Sequence, residues 1–301
     1  MIIITGASGQ LGRALFGELS LRGIPACGVD ITNIPETCKT PWINVDLAEP
    51  PSGFTWPPET NTVVHLAGSV IPDTFSPDSI SKWMRANFLT TCGSLRACHT
   101  NVTRFIYASS ISVYGHPAIN PITEEMAAVP LTGYGVSKLM GEMVCQSFFR
   151  DGNNQALTII RLAQVYGPGT LPQNALYRLI HQAIGTRKLS LQCPGNLQRD
   201  YIYITDVVNA LLSAIQFHPA GIYNVGLGRP VTMGEIAEAI AQAIPGCSKP
   251  EYSHPKEGDY SVSLSTKRFS EATGFRTRIQ PKAGVAKEVF RLINSLPGGK
   301  K

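Results

Sequence analysis

The chain of 301 residues is predicted to be an α/β protein, a doubly wound parallel sheet followed by a smaller, partly helical C-terminal unit. Three observations predict it. Short apolar runs alternate with amphipathic helical stretches through the first half, the cadence of strand–helix–strand units. A turn with glycines at Gly6, Gly9 and Gly12 separates the first run from the first helix. Beyond Tyr166 the cadence loosens into Pro/Gly-rich segments and isolated helices.

In order, the strand-like runs are Ile2–Thr5, Ala26–Val29, Trp42–Val45, Thr62–Ala67, Phe105–Ser109 and Leu157–Leu162. Their near-continuous apolar character suits strands buried on both faces of a parallel sheet. The first intervening helix carries Leu11, Ala14, Leu15 and Leu19 on one side, and Ser79–Cys98 and Tyr134–Arg150 read as later crossover helices. Further helices are expected at Asn174–Gly185, Asp206–Gln216, Met233–Ile244 and Lys282–Leu296, the last with Val285, Val289, Leu292, Ile293 and Leu296 as its apolar face. Gly298–Lys301 reads as a frayed tail.

Composition bounds the function. With 43% hydrophobic and 16% charged residues, the chain can bury a core and is not a disordered segment. No stretch approaches the length of apolar sequence that a membrane helix needs. The opening run at Ile2 leaves no room for a signal peptide. Seven cysteines without a CxxC pair fit free thiols in a reducing compartment, so a cytoplasmic protein is expected. Net charge is +5, and residues 252–301 hold ten Lys/Arg against four Asp/Glu. Those charges are scattered and lack interleaved aromatics, which favours an anionic small substrate or a solvated surface over nucleic acid. No His/Cys/Asp cluster has metal-ligand spacing, and His65 reads as a packed strand residue.

The glycine turn, Thr5-Gly6-Ala7-Ser8-Gly9-Gln10-Leu11-Gly12, is weak as spacing alone but stands where a strand opens into a helix. There a dinucleotide pyrophosphate can rest on the free N–H groups of the helix N-terminus, the Rossmann arrangement. Asp30 follows Gly12 by eighteen residues at the end of the second strand. A carboxylate there accepts from a ribose 2′-hydroxyl and repels a 2′-phosphate, so NAD is preferred over NADP.

Two Tyr-x-x-x-Lys patterns occur. Tyr252 and Lys256 are separated by Pro255, which breaks helical stacking, whereas Tyr134 and Lys138 lie in a continuing helical pattern and share one face. A free phenol is a poor base at neutral pH. An ammonium about 4 Å away at an effective dielectric of ~20 supplies about 4 kcal/mol, enough to lower a phenol by roughly three pKa units. Upstream, the fifth strand ends in Ala108-Ser109-Ser110-Ile111-Ser112-Val113-Tyr114-Gly115. Ser110 can hold a substrate hydroxyl against Tyr134 while a nicotinamide cofactor takes the hydride.

These residues, with Asp46-Leu47, His65-Leu66-Ala67-Gly68, Asn87, Arg161, Val165-Tyr166-Gly167-Pro168, Arg199–Tyr203, Tyr223–Gly226 and Glu257-Gly258-Asp259, occur in a specific order. The chain resembles the extended short-chain dehydrogenase/reductases, in their nucleotide-sugar epimerase/dehydratase branch, over nearly its whole length. The resemblance implies Ser110, Tyr134 and Lys138 as the catalytic set. It implies Gly6, Gly9, Gln10, Leu11, Gly12, Asp30, Asp46, Leu47, Leu66, Ala67, Gly68, Asn87 and Ala163, with Tyr134 and Lys138, at NAD. It implies Ser110, Ser112, Gln164, Asn174, Arg199, Lys256 and Asp259 at a nucleotide-diphosphate sugar, and a homodimer formed through the helices at Ser79–Cys98 and Tyr134–Arg150. A domain of residues 1–162 plus 198–224 would bind NAD, and one of 163–197 plus 225–301 the sugar nucleotide.

Departures narrow the reaction. Dehydratases of this branch carry Asp-Glu where Ile111-Ser112 stands, and decarboxylating relatives carry Glu at the Ser112 position. Gln164 and Ala163 replace a usual Asn and a common aromatic, so an unusual sugar pocket is expected. The leading expectation is epimerisation at sugar carbon 4, as in UDP-glucose/galactose 4-epimerases. The alternatives are a 4-ketosugar reductase using the same residues and a non-catalytic protein that senses dinucleotide.

Overall fold

In the computed structural model, residues 1–33, 40–70, 76–99, 101–117, 119–150, 156–172, 174–256 and 259–295 are described. Glu257, Gly258, Leu296 and the tail Gly298–Lys301 lie outside the described residues. Ile2, Ile3 and Ile4, β-branched and apolar without interruption, form β1 (Ile2–Thr5) at full burial. The helix α1 (Gln10–Leu21) follows and buries Gly12, Leu15, Phe16 and Leu19. Next come β2 (Ala26–Asp30), β3 (Trp42–Asn44), β4 (Thr62–His65), α2 (Pro77–Trp83), α3 (Thr90–Arg96), β5 (Arg104–Ser110), α4 (Gly133–Phe148) and β6 (Ala156–Leu162). The remainder comprises β7 (Gln164–Tyr166), α5 (Ala175–Thr186), β8 (Ser190–Leu191), β9 (Gln198–Arg199), β10 (Tyr201–Tyr203), α6 (Ile204–Phe217), β11 (Gly221–Val225), β12 (Val231–Thr232), α7 (Met233–Ala243), β13 (Glu251–Tyr252), α8 (Lys267–Thr273) and α9 (Pro281–Ser295).

The main sheet has the order β11-β6-β5-β4-β1-β2-β3, and every pairing in it is parallel. The strand order reverses between β1 and β4, which opens a crevice at their C-terminal ends. One face packs Ile4, Leu15, Leu19, Ile106, Val207 and Leu211 together. The other packs Ile3, Val63, Phe105, Tyr107, Cys145 and Phe149. This is the predicted doubly wound sheet covered on both sides. A third core joins α5, α7 and α9 through Leu176, Ile180, Ile236, Ile240, Val285 and Val289.

Several elements depart from the sequence expectation. The single helix expected at Ser79–Cys98 is α2 and α3 joined by one π-helical turn at Met84–Leu89. The Thr90 and Thr91 hydroxyls donate to the Ala86 and Asn87 carbonyls at 2.8 and 2.6 Å, and such back-bonding competes with the regular ladder. The seventh strand, β11, was not expected, because its Gly and Asn mask the strand pattern. The cores draw on interleaved segments of the chain. Val262, Leu264 and Phe269 pack with the main sheet, whereas Tyr201, Tyr203 and Ile204 pack with the third core. No helix among the described residues is long and apolar enough to cross a membrane.

Candidate active site

The crevice begins at the glycine turn. Gly6 takes φ +65°, and a Cβ there would stand 2.8 Å from the Ala67 backbone, so only glycine lets β1 and the turn after β4 approach this closely. A Cβ on Gly12 would strike the Gly6 carbonyl oxygen, which brings α1 hard against the turn. Gly9 is the N-cap of α1 and offers no side-chain acceptor, leaving the positive end of the helix open toward the crevice. Gly6, Gly9, Asp30, Asp46, Leu47, Leu66, Ala67 and Gly68 all line one cleft of about 550 Å³. Asp30 is braced at its edge: Oδ2 accepts the Ser8 N–H at 2.9 Å, and Oδ1 accepts the Thr32 N–H and hydroxyl at 3.1 Å. Asp46 Oδ1 accepts the Ala48 N–H, and its Oδ2 pairs with Arg85 at 2.5 Å. An open helix N-terminus, glycines that no Cβ could replace and a terminal carboxylate fit a dinucleotide.

Other expected cofactor residues, Asn87, Gln10, Leu11 and Ala163, are not among those that line this cleft. Buried Asn87, inside the π turn, accepts the Ser69 N–H at 2.9 Å and donates to the Ser69 carbonyl and the Ser137 hydroxyl. It fixes the turn beyond Gly68. Gln10 turns its amide away from the glycine loop, donating to the Gly167 and Pro168 carbonyls and to Thr170 Oγ1 at 2.7 Å. Leu11 packs against the main and third cores. Ala163 is buried, its N–H bound to the Val225 carbonyl. The cleft is also lined by Ser8, Thr32, Lys82 and Arg85, which no sequence pattern singled out.

The C-terminal end of β5 places the next group. Ser110 caps a short 3₁₀ turn, Ile111–Tyr114, its Oγ accepting the Ser112 N–H at 3.2 Å. Thr132 caps α4 by accepting the Gly135 N–H. Gly135 and Gly141 let that helix lie against the Ser112 carbonyl and the Tyr107 hydroxyl. Tyr134 and Lys138 therefore face the end of β5 together. Tyr134 is half-buried, and its phenol lies beside the Ser110 side chain. Lys138 is buried, donates to the Ala108 carbonyl at 2.9 Å and lies 5.1 Å above the Tyr107 ring. A Cβ on Gly68 would stand 3.3 Å from Lys138 Nζ, so the lysine adjoins the cofactor cleft.

The electrostatics correct one expectation. Burial pushes the Tyr134 phenol above its ordinary value, and the opposing influence is the Ser110 side chain rather than the Lys138 ammonium. The ammonium is directed at a backbone carbonyl, and burial lowers its own pKa to about 8. Behind the pair, buried Glu142 takes both Arg161 Nε and Nη2, at 2.9 and 2.6 Å, and also accepts from Ser109. Arg161 continues to the Tyr114 hydroxyl, which donates to Asn224 at 2.8 Å. Sequence reasoning noted Arg161 but missed Glu142, although Glu142 follows Lys138 by one helical turn.

The expected substrate residues are more dispersed. Ser112 lies 3.2 Å from Ser110 Oγ through its hydroxyl. Gln164 is exposed on β7. Asn174 serves as the N-cap of α5, accepting the Leu176 N–H at 3.0 Å. Arg199 lies over the Tyr260 ring at 5.0 Å and donates to the Gln198 and Tyr260 carbonyls. The Lys256 N–H is bound to Asp259 Oδ2 at 2.9 Å. Tyr260, the neighbour of Asp259 in sequence, thus brings Arg199 toward that pair. His116, just past the Ser110–Gly115 segment, stacks on Tyr260 at 3.8 Å. Neither His116 nor Tyr260 was singled out by sequence. Among the described residues, no group of three or more His, Cys, Asp or Glu is arranged to hold a metal ion.

Comparison with known proteins shows the family. The chain is 27% identical to UDP-glucose 4-epimerase of Mycolicibacterium smegmatis, covering 95% of this chain and 96% of that protein. It is 24% identical to dTDP-4-dehydro-6-deoxyglucose reductase of Escherichia coli, covering 95% of each. Its fold matches MoeE5 in complex with UDP-glucuronic acid and NAD with a TM-score of 0.83, at 27% identity over 98% of this chain and 99% of that one. Residues 2–226 match the family model described as the NAD dependent epimerase/dehydratase family, and the chain belongs to that family.

Proposed function

We propose that the protein is an NAD-dependent epimerase of a nucleotide-diphosphate sugar that inverts carbon 4 through a transient 4-ketosugar. What supports this reading is that Lys138 adjoins Gly68 of the cleft on the helix that also carries Tyr134, with Ser110 beside the phenol. Gly6, Gly9, Gly12, Asp30, Asp46, Leu47, Leu66, Ala67 and Gly68 would hold NAD, which supplies hydride acceptance and return at the sugar carbon. Ser110 orients the substrate hydroxyl and Tyr134 takes its proton, later returning it to the opposite face of the turned ketosugar. The phenol sits above its ordinary value, and the Ser110 side chain is what favours its anion. Ile111-Ser112 supplies no carboxylate for eliminating water, which argues against dehydration.

In this reading Arg199, Lys256 and Asp259, with Asn174 and Gln164, form the sugar-nucleotide side. Arg199 and Lys256 suit a pyrophosphate because a guanidinium and an ammonium donate charge-assisted hydrogen bonds to phosphate oxygens. An anchored diphosphate leaves the sugar free to present either face, which inversion requires. The protein would act as a homodimer in the cytoplasm, where its free thiols stay reduced.

A second reading, a ketosugar reductase, is favoured by the likeness to the Escherichia coli reductase. Incubation with a panel of UDP-, dTDP-, GDP- and CDP-sugars distinguishes them. Epimerisation yields an inverted sugar with no net change in reduced-nicotinamide absorbance, whereas reduction consumes the reduced cofactor stoichiometrically. Tyr134→Phe is expected to lower turnover by roughly 10²-fold or more while calorimetry shows NAD binding retained. Wild-type turnover in that variant would remove Tyr134 from the mechanism.

A further inference from the structure

His65 ends β4 with no solvent exposure. Its Nδ1 lies 2.9 Å from Thr5 Oγ1 and its Nε2 3.1 Å from Thr91 Oγ1. The remaining bonds of the two hydroxyls fix the direction of both contacts. Thr5 Oγ1 accepts the Leu66 N–H at 3.2 Å and the Ala67 N–H at 3.1 Å, which fills its lone pairs and aims its proton at Nδ1. Thr91 donates its own proton to the Asn87 carbonyl at 2.6 Å, so its oxygen is left to accept from Nε2–H. The imidazole is therefore neutral, with its proton on Nε2. It stacks between Phe105 and Tyr107, at ring distances of 5.9 and 5.8 Å. The titratable groups facing it are Tyr107 and the Lys138 ammonium. Burial first, and then that ammonium, hold the imidazole far below its ordinary value, at about 3.

The consequences of this chain reach the cofactor cleft. Thr5 precedes Gly6, and the two amides that it receives belong to the turn whose Ala67 lies against Gly6. The Asn87 carbonyl at the far end belongs to the residue that clamps Ser69. We propose that His65 is a positioning residue for the cofactor cleft, orienting the Thr5 hydroxyl so that it holds the Leu66–Gly68 turn against the glycine loop. A neutral imidazole suits this place because it accepts at one edge and donates at the other without bringing a charge into the core. The inference rests on the reading of the cleft as an NAD site.

Two measurements on the full chain test it. Nitrogen-15 spectra of labelled histidine should show His65 as the Nε2–H tautomer, unchanged between pH 5 and 8. An Nδ1–H tautomer, or titration near the ordinary histidine value, would overturn the proposal without reference to any ligand. Calorimetric titration with NAD should show Thr5→Val and His65→Phe each binding about tenfold more weakly, the loss of about one hydrogen bond's worth of order. The double variant should bind no worse than either single one, because both act through one contact, and His65→Asn, which restores an acceptor toward Thr5, should recover affinity. Folded variants, checked by circular dichroism, that bind NAD as tightly as the wild type would overturn it. Should His65→Phe not fold, Thr5→Val, nearly equal in volume, carries the same expectation. A wild-type chain that binds no NAD would instead overturn the cofactor reading, and the tautomer would still decide the hydrogen-bond chain.

Discussion

Lys138 shows at the scale of one residue how a buried ammonium costs the fold stability. Its ammonium is buried with a backbone carbonyl as hydrogen-bond acceptor, and its pKa falls from 10.5 to about 8. A group whose folded pKa is depressed adds stability above its unfolded pKa and loses it as pH falls through the folded value. The wild type should therefore gain about 3 kcal/mol of unfolding free energy between pH 8 and pH 10.5 from this group. Lys138→Met should lack that rise, so urea denaturation across this range should show the variant losing ground to the wild type. Parallel profiles would mean that the lysine is not desolvated. The residue types at this site were legible in the sequence, because Tyr134 and Lys138 stack on one helical face. The sign of the phenol's shift was not, since it depends on burial and on where the ammonium points.

Among the elements, α4 carries the heaviest requirement. Its N-terminal half presents Tyr134 and Lys138, while Glu142, one turn further, binds Arg161 on β6 and Ser109 on β5. This buried pair locks the helix to the sheet in the register that brings Tyr134 to Ser110. Glu142→Gln leaves a buried guanidinium unpaired and should cost about 3–5 kcal/mol in denaturant unfolding. Glu142→Leu with Arg161→Met, which removes both charges, should recover most of that loss. Equal destabilisation by the single and double changes would show that packing, rather than charge pairing, fixes the helix. The strands and helices around α4 were readable from apolar period. The π turn at Met84–Leu89 was not, because its cause is local competition by the Thr90 and Thr91 hydroxyls for backbone carbonyls.

For the whole molecule, α4 also leaves Val136, Met143 and Phe148 exposed, and α2 leaves Ile80. Apolar residues collected on neighbouring helices suit the proposed homodimer. Met143→Glu should shift a dimeric wild type toward monomer in sedimentation or size-exclusion experiments, leaving the circular dichroism spectrum unchanged. A wild type that runs as a monomer would discard the interface. The third core, α5, α7 and α9, takes in Tyr201, Tyr203 and Ile204, and the main sheet takes in Val262, Leu264 and Phe269. The two cores thus draw on interleaved segments of the chain.

The sequence by itself determined the doubly wound sheet, the glycine turn, the place of Asp30 at the end of β2 and the presence of Tyr134 and Lys138 on one helix. Each of these depends on periodicity or short spacing within one or two adjacent elements, where the chain's own geometry dictates which side chains share a face. Tertiary structure alone decided that Gln10 would reach the Gly167–Thr170 segment, that Tyr260 would join His116 to Arg199, and that His65 would link Thr5 to Thr91. Those partners are separated by tens of residues or more along the chain. Such contacts exist only once distant elements have packed, and no local pattern records which of many compatible groups will meet.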